Sequence, residues 1–178
     1  GCSCLCNVYS QTVKIGTVLP LFEDSEDQNS KQLGTEILNG ITFALNEFNR
    51  SPQVKIQLII KDTKRDPVLC SELVTELSEE DSVQVILGPI FSSEMTEISD
   101  IAFLDKLPIV SPTATGDELS EIHDYTFQLN PSYKVRGKLM ANYLIKELGL
   151  KNFAVISESS YGKNFSGHFV NEVNKLKG

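Results

Sequence analysis

"VILGPIFSSEM", residues 85–95, joins a short apolar run to a helix-like stretch through a glycine and a proline, and brings Ser92 and Ser93 to the first helical positions. An apolar run bounded by turn residues reads as a strand buried on both faces, here Val83 to Leu87. The two hydroxyls have two readings. Ser92 can cap the helix that follows, or it can stand beside the free amides of a helix N-terminus where a ligand carboxylate would fit.

Upstream, "VKIGTVL" at 13–19 is another buried strand, ended by Pro20, and the acidic "FEDSEDQNSKQ" after it reads as a polar loop. From Thr35, Ile37, Leu38, Ile41, Ala44, Leu45 and Phe48 recur at helical spacing, predicting an amphipathic helix to Asn49. "VKIQLII", 54–60, is the second strand. In "RDPVLC", Asp66 can cap and Pro67 suits the first helical position, because its missing N–H has no partner there. That helix runs to Glu80 with Cys70, Leu73, Val74 and Leu77 on its apolar side, so Cys70 reads as a packing residue. Downstream come a helix over 93–105, a short strand in "LPIVSP" and a fifth in "YTFQL".

The alternation predicts an α/β fold, a parallel sheet flanked by helices. The Asn130-Pro131 step marks a break. Beyond it the pattern predicts a helix over 133–148, a strand at "FAVIS", 153–157, and a helix over 161–176. A single strand with two helices leaves its sheet edges unpaired. We therefore expect a tail at 1–12, a first lobe at 13–130 and a truncated second lobe at 131–178, in a chain that is a fragment.

Composition narrows the function. The 178 residues are 40% hydrophobic and 22% charged with a net charge of -8, which excludes disorder, and no basic stretch interleaved with aromatics suggests nucleic acid. No apolar run approaches the roughly 20 residues of a membrane span. The spacing of Cys2, Cys4 and Cys6 is unlike zinc-ligand pairs, so no metal is expected. "GC" at the start resembles the end of a bacterial lipoprotein signal, which makes Cys2 the candidate for lipidation; a ragged end with incidental thiols is the alternative.

Catalytic apparatus is not legible, and no cofactor is expected. The turn after the first strand, "LPLFED", lacks dinucleotide-binding glycines, and there is no phosphate loop, nucleophile elbow or zinc-protease motif. His123 and His168 read as exposed or structural, and Asp62, at the end of the second strand, as loop chemistry. What remains is topology: in open parallel sheets, ligands sit beyond the carboxyl ends of strands. Two such ends, "GPIFSSE" and "SPTATGDEL", are rich in small hydroxyl residues. Ser92 or Ser93 suits a carboxylate, while Thr115 and the carbonyls around Thr113 suit an ammonium group. Against this, Thr115 and Glu118 also spell a capping box that needs no ligand.

Taken in order, "KIGTVLPL", "LGTEILNGITFALNEFN", "IIKDTKRDPVLCSELVTEL", "VILGPIFSSEMTEISDIA", "LPIVSPTATGDEL", "FQLNPSYKVRGKLMANYL" and "FAVISESSYGKNFSGHFVNEV" resemble the type I periplasmic solute-binding proteins of the leucine/isoleucine/valine-binding family. That resemblance implies two α/β lobes that clamp a ligand and deliver it to the membrane permease of an ATP-driven (ABC) importer. It implies ligand contacts at Ser92, at Thr113 and the neighbouring Ala114 through the backbone, at Thr115, and at Tyr161 from the second lobe; Ser93 stays a candidate on its place at the helix start. Three positions depart from the family pattern: Leu33 stands before Gly34 where some members have an aromatic, and Phe91 and Arg65 occupy the places of a disulfide.

The expected function is therefore an extracytoplasmic protein, periplasmic or extracellular, that captures an amino acid or similar small polar solute and is not an enzyme. A sensory ectodomain of the same fold is the alternative, and a doubly wound enzyme a third reading that predicts a titrating residue in the cleft.

Overall fold

In the computed structural model, β1 (Gln11–Leu19) is the strand from which the sheet is built. It pairs in parallel with β2 (Val54–Asp62), from Gln11 opposite Val54 to Leu19 opposite Asp62. On its other side Ile15 lies opposite Val85 of β3 (Val85–Leu87), followed by β4 (Ile109–Ser111) and β5 (Thr126–Gln128), all parallel. Helices α1 (Gln28–Phe48), α2 (Pro67–Glu79) and α3 (Ser92–Leu104) make the first crossovers. The strand order β2-β1-β3-β4-β5 reverses direction between β1 and β3, where diverging loops leave a crevice at the carboxyl edge. The structure describes residues 11–25, 28–50, 54–119, 124–158 and 161–176; Cys2, Cys4, Cys6 and His123 lie outside them. Among the described residues no helix is long and apolar enough to cross a membrane.

Successive strand residues face opposite sides of a sheet, and β1 uses both. Val18 joins Cys70, Val74 and Leu77 of α2, Met95 and Ile98 of α3, and Ile86 and Ile109 in the larger core. Leu19 packs on the other face with Leu21, Ile90 and the half-buried Ile37, Leu38 and Ile41 of α1. Asp66 caps α2, accepting from the amides of Val68 and Leu69 with Pro67 at the first position, and Cys70 is fully buried.

Two expectations about α1 are corrected. It starts at Gln28, inside the stretch read as an acidic loop, rather than at Thr35. Gln, Lys and Glu are good helix formers where a face meets water, and Gln32 bonds Glu36 one turn on at 2.8 Å. Ala44 and Phe48, expected on the buried face, are exposed, because α1 meets the second core cluster only through Ile37, Leu38 and Ile41. Gly34 permits that contact: a Cβ there would lie 2.4 Å from the Pro20 carbonyl oxygen.

After β5 the chain forms a second packing unit. Helix α4 (Tyr133–Asn142), capped by Ser132, runs into a π-helical turn, Tyr143–Glu147, and pairs with α5 (Tyr161–Lys175). Ala141, Phe169 and Val173 form its core, with Phe153 edge-on to Phe169 at 5.5 Å. The strand expected at 153–157 is absent: this segment has no ladder partner among the described residues, and Ile156 is 99% exposed. An apolar run becomes a strand only when a neighbour accepts its backbone hydrogen bonds.

Gly34→Ala should lower stability by about 1–3 kcal/mol, since backbone rather than a flexible side chain occupies the space. Urea unfolding checks this; an unchanged midpoint would mean that α1 is free to shift away from Pro20.

Candidate functional site

The loops beyond β3 and β4 are stitched together by short polar side chains. Ser111 donates to the Pro89 carbonyl and accepts from the Ala114 amide, and Thr113 donates to the Ile90 carbonyl at 2.7 Å. Ser92 Oγ accepts from the amides of Thr115 and Gly116 at 3.2 and 3.0 Å. From the far side, Gln128 donates to the carbonyls of Ala114 and Gly116, Asn130 to that of Thr113, and the Tyr133 amide to that of Thr115.

This settles what Ser92 does locally. The N-cap of α3 is Phe91, which offers no side-chain cap, and Ser92 is the first helical residue, so the capping reading is corrected. A hydroxyl has two acceptor sites and one proton; with two amides bonded to its oxygen and no acceptor for it among the described residues, the proton of Ser92 is left to donate. The first amide of α3 to bond within the helix is that of Met95, to the Phe91 carbonyl. The amides of Ser92, Ser93 and Glu94 precede it, at the positive end of the helix dipole.

Ser92, Ser93, Thr113, Ala114 and Thr115 all line one cleft of about 470 Å³, within the ordinary range for small-molecule sites. Tyr161 opens α5, and its side chain lies outside the described residues. Sequence reasoning missed the rest of the lining: Leu33, Ile90 and Phe91 on one side, Gly116, Glu118, Tyr133 and Asn164 on the other. Leu33 was singled out only as a departure, yet Gly34 against Pro20 is the signal that puts it over the strand ends. Glu118 folds back so that Oε1 would lie 2.6 Å from a Cβ on Gly116; the helix that a Thr115–Glu118 box would open falls largely outside the described residues.

Charged groups around the site are mostly committed. Asp62 accepts from the amides of Leu21, Phe22, Glu23 and Lys64, tying the turn after β1 to the end of β2. Burial opposes its charge, but those amides together hold its carboxyl below the usual value, so its role is the loop chemistry expected. At the two positions where the resemblance implies a disulfide, the Arg65 guanidinium lies 4.2 Å over the Phe91 ring, a cation–π contact. Burial pushes the Cys70 thiol far above its ordinary value.

His168, read as exposed or structural, has a partner that was not foreseen: Nε2 pairs with Asp117 Oδ2, while Asp117 Oδ1 accepts from the Lys134 amide at 2.6 Å. Burial opposes the Asp117 charge, and the Lys134 amide, His168 and Ser132 outweigh it, leaving its pKa lowered.

Glu94 is the exception. It is fully buried, and neither carboxyl oxygen has a hydrogen-bond partner among the described residues. Burial pushes its pKa up; Thr63, the Phe91 amide and Arg65 pull the other way without completing a bond that offsets it. A raised folded-state pKa costs nothing below the unfolded value of 4.5 and an increasing amount as pH rises through it toward the folded value. Glu94→Met should therefore stabilise the protein by about 1–3 kcal/mol near pH 8 and by much less at pH 4. Thermal melts across pH check this; an equal gain at both pH values would show that Glu94 carries no such cost.

Comparison with known proteins places this geometry. The periplasmic binding protein family matches residues 12–173. An uncharacterized protein of Methanocaldococcus jannaschii is 32% identical over 57% of this chain and 25% of its own length. Glutamate receptor 2.8 of Arabidopsis thaliana is 25% identical over 76% of this chain and 13% of its own. The structure of the branched-chain amino acid transporter substrate-binding protein LivJ from Streptococcus pneumoniae, in complex with isoleucine, superposes with a TM-score of 0.72 at 25% identity over 91% of this chain and 47% of that one. The chain thus spans less than half the length of each of these proteins. With strands, crossovers and strand-end loops in the same arrangement, the chain belongs to the periplasmic binding protein family and has its type I α/β fold.

Proposed function

We propose that the chain is the first lobe and the beginning of the second lobe of an extracytoplasmic solute-binding protein, and that the cleft at Ser92 and Thr115 takes the carboxylate and ammonium groups of an amino acid or similar small polar solute. The observation that carries this is the Ser92 proton, which has no acceptor among the described residues, beside the N-terminal amides of α3 in a cleft lined by Thr113–Gly116. An anion is favoured at that helix end before any side chain is added. Ligand would stabilise the closed arrangement only when groups from both lobes engage it, which couples capture to closure. Tyr161 would cover the ligand from the second lobe, and no residue is assigned a catalytic role. The isoleucine-bound relative supports the amino-acid class, with delivery to the permease of an ABC importer. Cys2 would serve as a lipid anchor.

A sensory ectodomain is the second reading, favoured by the match to a plant glutamate receptor. The segments that flank this region in the complete protein separate the two: a membrane span followed by a signalling module indicates a receptor.

A thermal-shift screen of the full-length protein against the amino acids, short amides and sugars tests the proposal, since a ligand that binds only the folded state raises the melting temperature. One amino acid should do so strongly, and Thr115→Ala should weaken it by about 1–3 kcal/mol. Ser92→Ala should weaken binding and also lower the melting temperature, because two amides lose their acceptor. No shift with any amino acid would overturn the assignment of Ser92 and Thr115.

A further inference from the structure

We propose that Asp117 and His168 form a latch across the mouth of the cleft, positioning residues that hold α5, and with it Asn164, over the ligand loop. The inference rests on the two-lobed binding reading above. Asp117 follows Gly116, whose amide is bound by Ser92, so it moves with the loop that forms the cleft wall. Its two carboxyl oxygens are divided: Oδ1 takes the Lys134 amide in the first turn of α4, and Oδ2 takes His168 on α5. One side chain thus grips both helices of the second packing unit.

The histidine has little freedom to turn away. Helices α4 and α5 cross at Gly137, where a Cβ would lie 2.8 Å from the His168 Cβ. Residues four apart share a helix face, and Asn164, one turn before His168, lines the cleft with Ser92 and Thr115. The core of this helix pair, Ala141, Phe169 and Val173, includes none of the buried residues of the sheet clusters. Among the described residues, the Asp117–His168 contact is the side-chain hydrogen bond that joins α5 to the sheet-bearing unit. When it breaks, the face carrying Asn164 loses its direct tie to the loop and is held through α4, whose Tyr133 amide bonds the Thr115 carbonyl, while each unit keeps its own core.

The test uses the full-length protein and its His168→Leu, His168→Gln and Asp117→Ala variants, with small-angle X-ray scattering of the ligand-free forms and calorimetric titration with L-leucine as probe. His168→Leu and Asp117→Ala should each enlarge the radius of gyration and weaken leucine binding about tenfold, within the usual range of coupling between sites. His168→Gln, which keeps a donor near the place of Nε2, should restore most of both. The latch is overturned if His168→Leu scatters and binds like the wild type, or if His168→Gln is as impaired as His168→Leu. Should the wild type not bind leucine, the ligand assignment is what suffers; scattering alone then decides, with expansion supporting the latch and no change refuting it.

Discussion

A single hydroxyl organises the carboxyl edge of this sheet. Ser92 Oγ receives the amides of Thr115 and Gly116, so the start of α3 and the loop after β4 cannot move independently. Ser111 and Thr113 tighten the same seam by donating to Pro89 and Ile90. Buried backbone groups must find partners, and here the partners are small hydroxyl side chains rather than a ladder. Such a seam keeps the cleft wall rigid at little cost in side-chain entropy, because serine and threonine have few rotamers to lose.

The frame was legible because each cue had one dominant reading. β1, β2 and the Asp66–Pro67 start of α2 were marked by apolar runs and capping chemistry that tertiary packing did not override. The first turns of α1 were not, since polarity marks exposure and says nothing about backbone conformation; Gln32 and Glu36 are exposed and helical. The run at 153–157 failed for the opposite reason: its apolar pattern suits a strand, but hydrogen bonding is a property of pairs.

The site was half legible. Residues in the two strand-end loops could be named because topology fixes where such loops gather. Leu33, Tyr133 and Asn164 could not, as each reaches the cleft from an element whose placement depends on long-range packing. The role of Ser92 was legible only as a choice between cap and contact, and its actual partners lie more than twenty residues away, at separations of 23 and 24.

The Arg65–Phe91 stack changes what the fold asks of its surroundings. The guanidinium on the Phe91 ring joins the loop after β2 to the loop after β3 by a non-covalent contact. Cys70, the thiol of the larger core, is buried and held in its protonated form, and so is a poor nucleophile for disulfide exchange. Cys70 is the one cysteine of the sheet-bearing unit, so that unit has no internal disulfide to form, and its folded shape does not depend on the redox state of its surroundings.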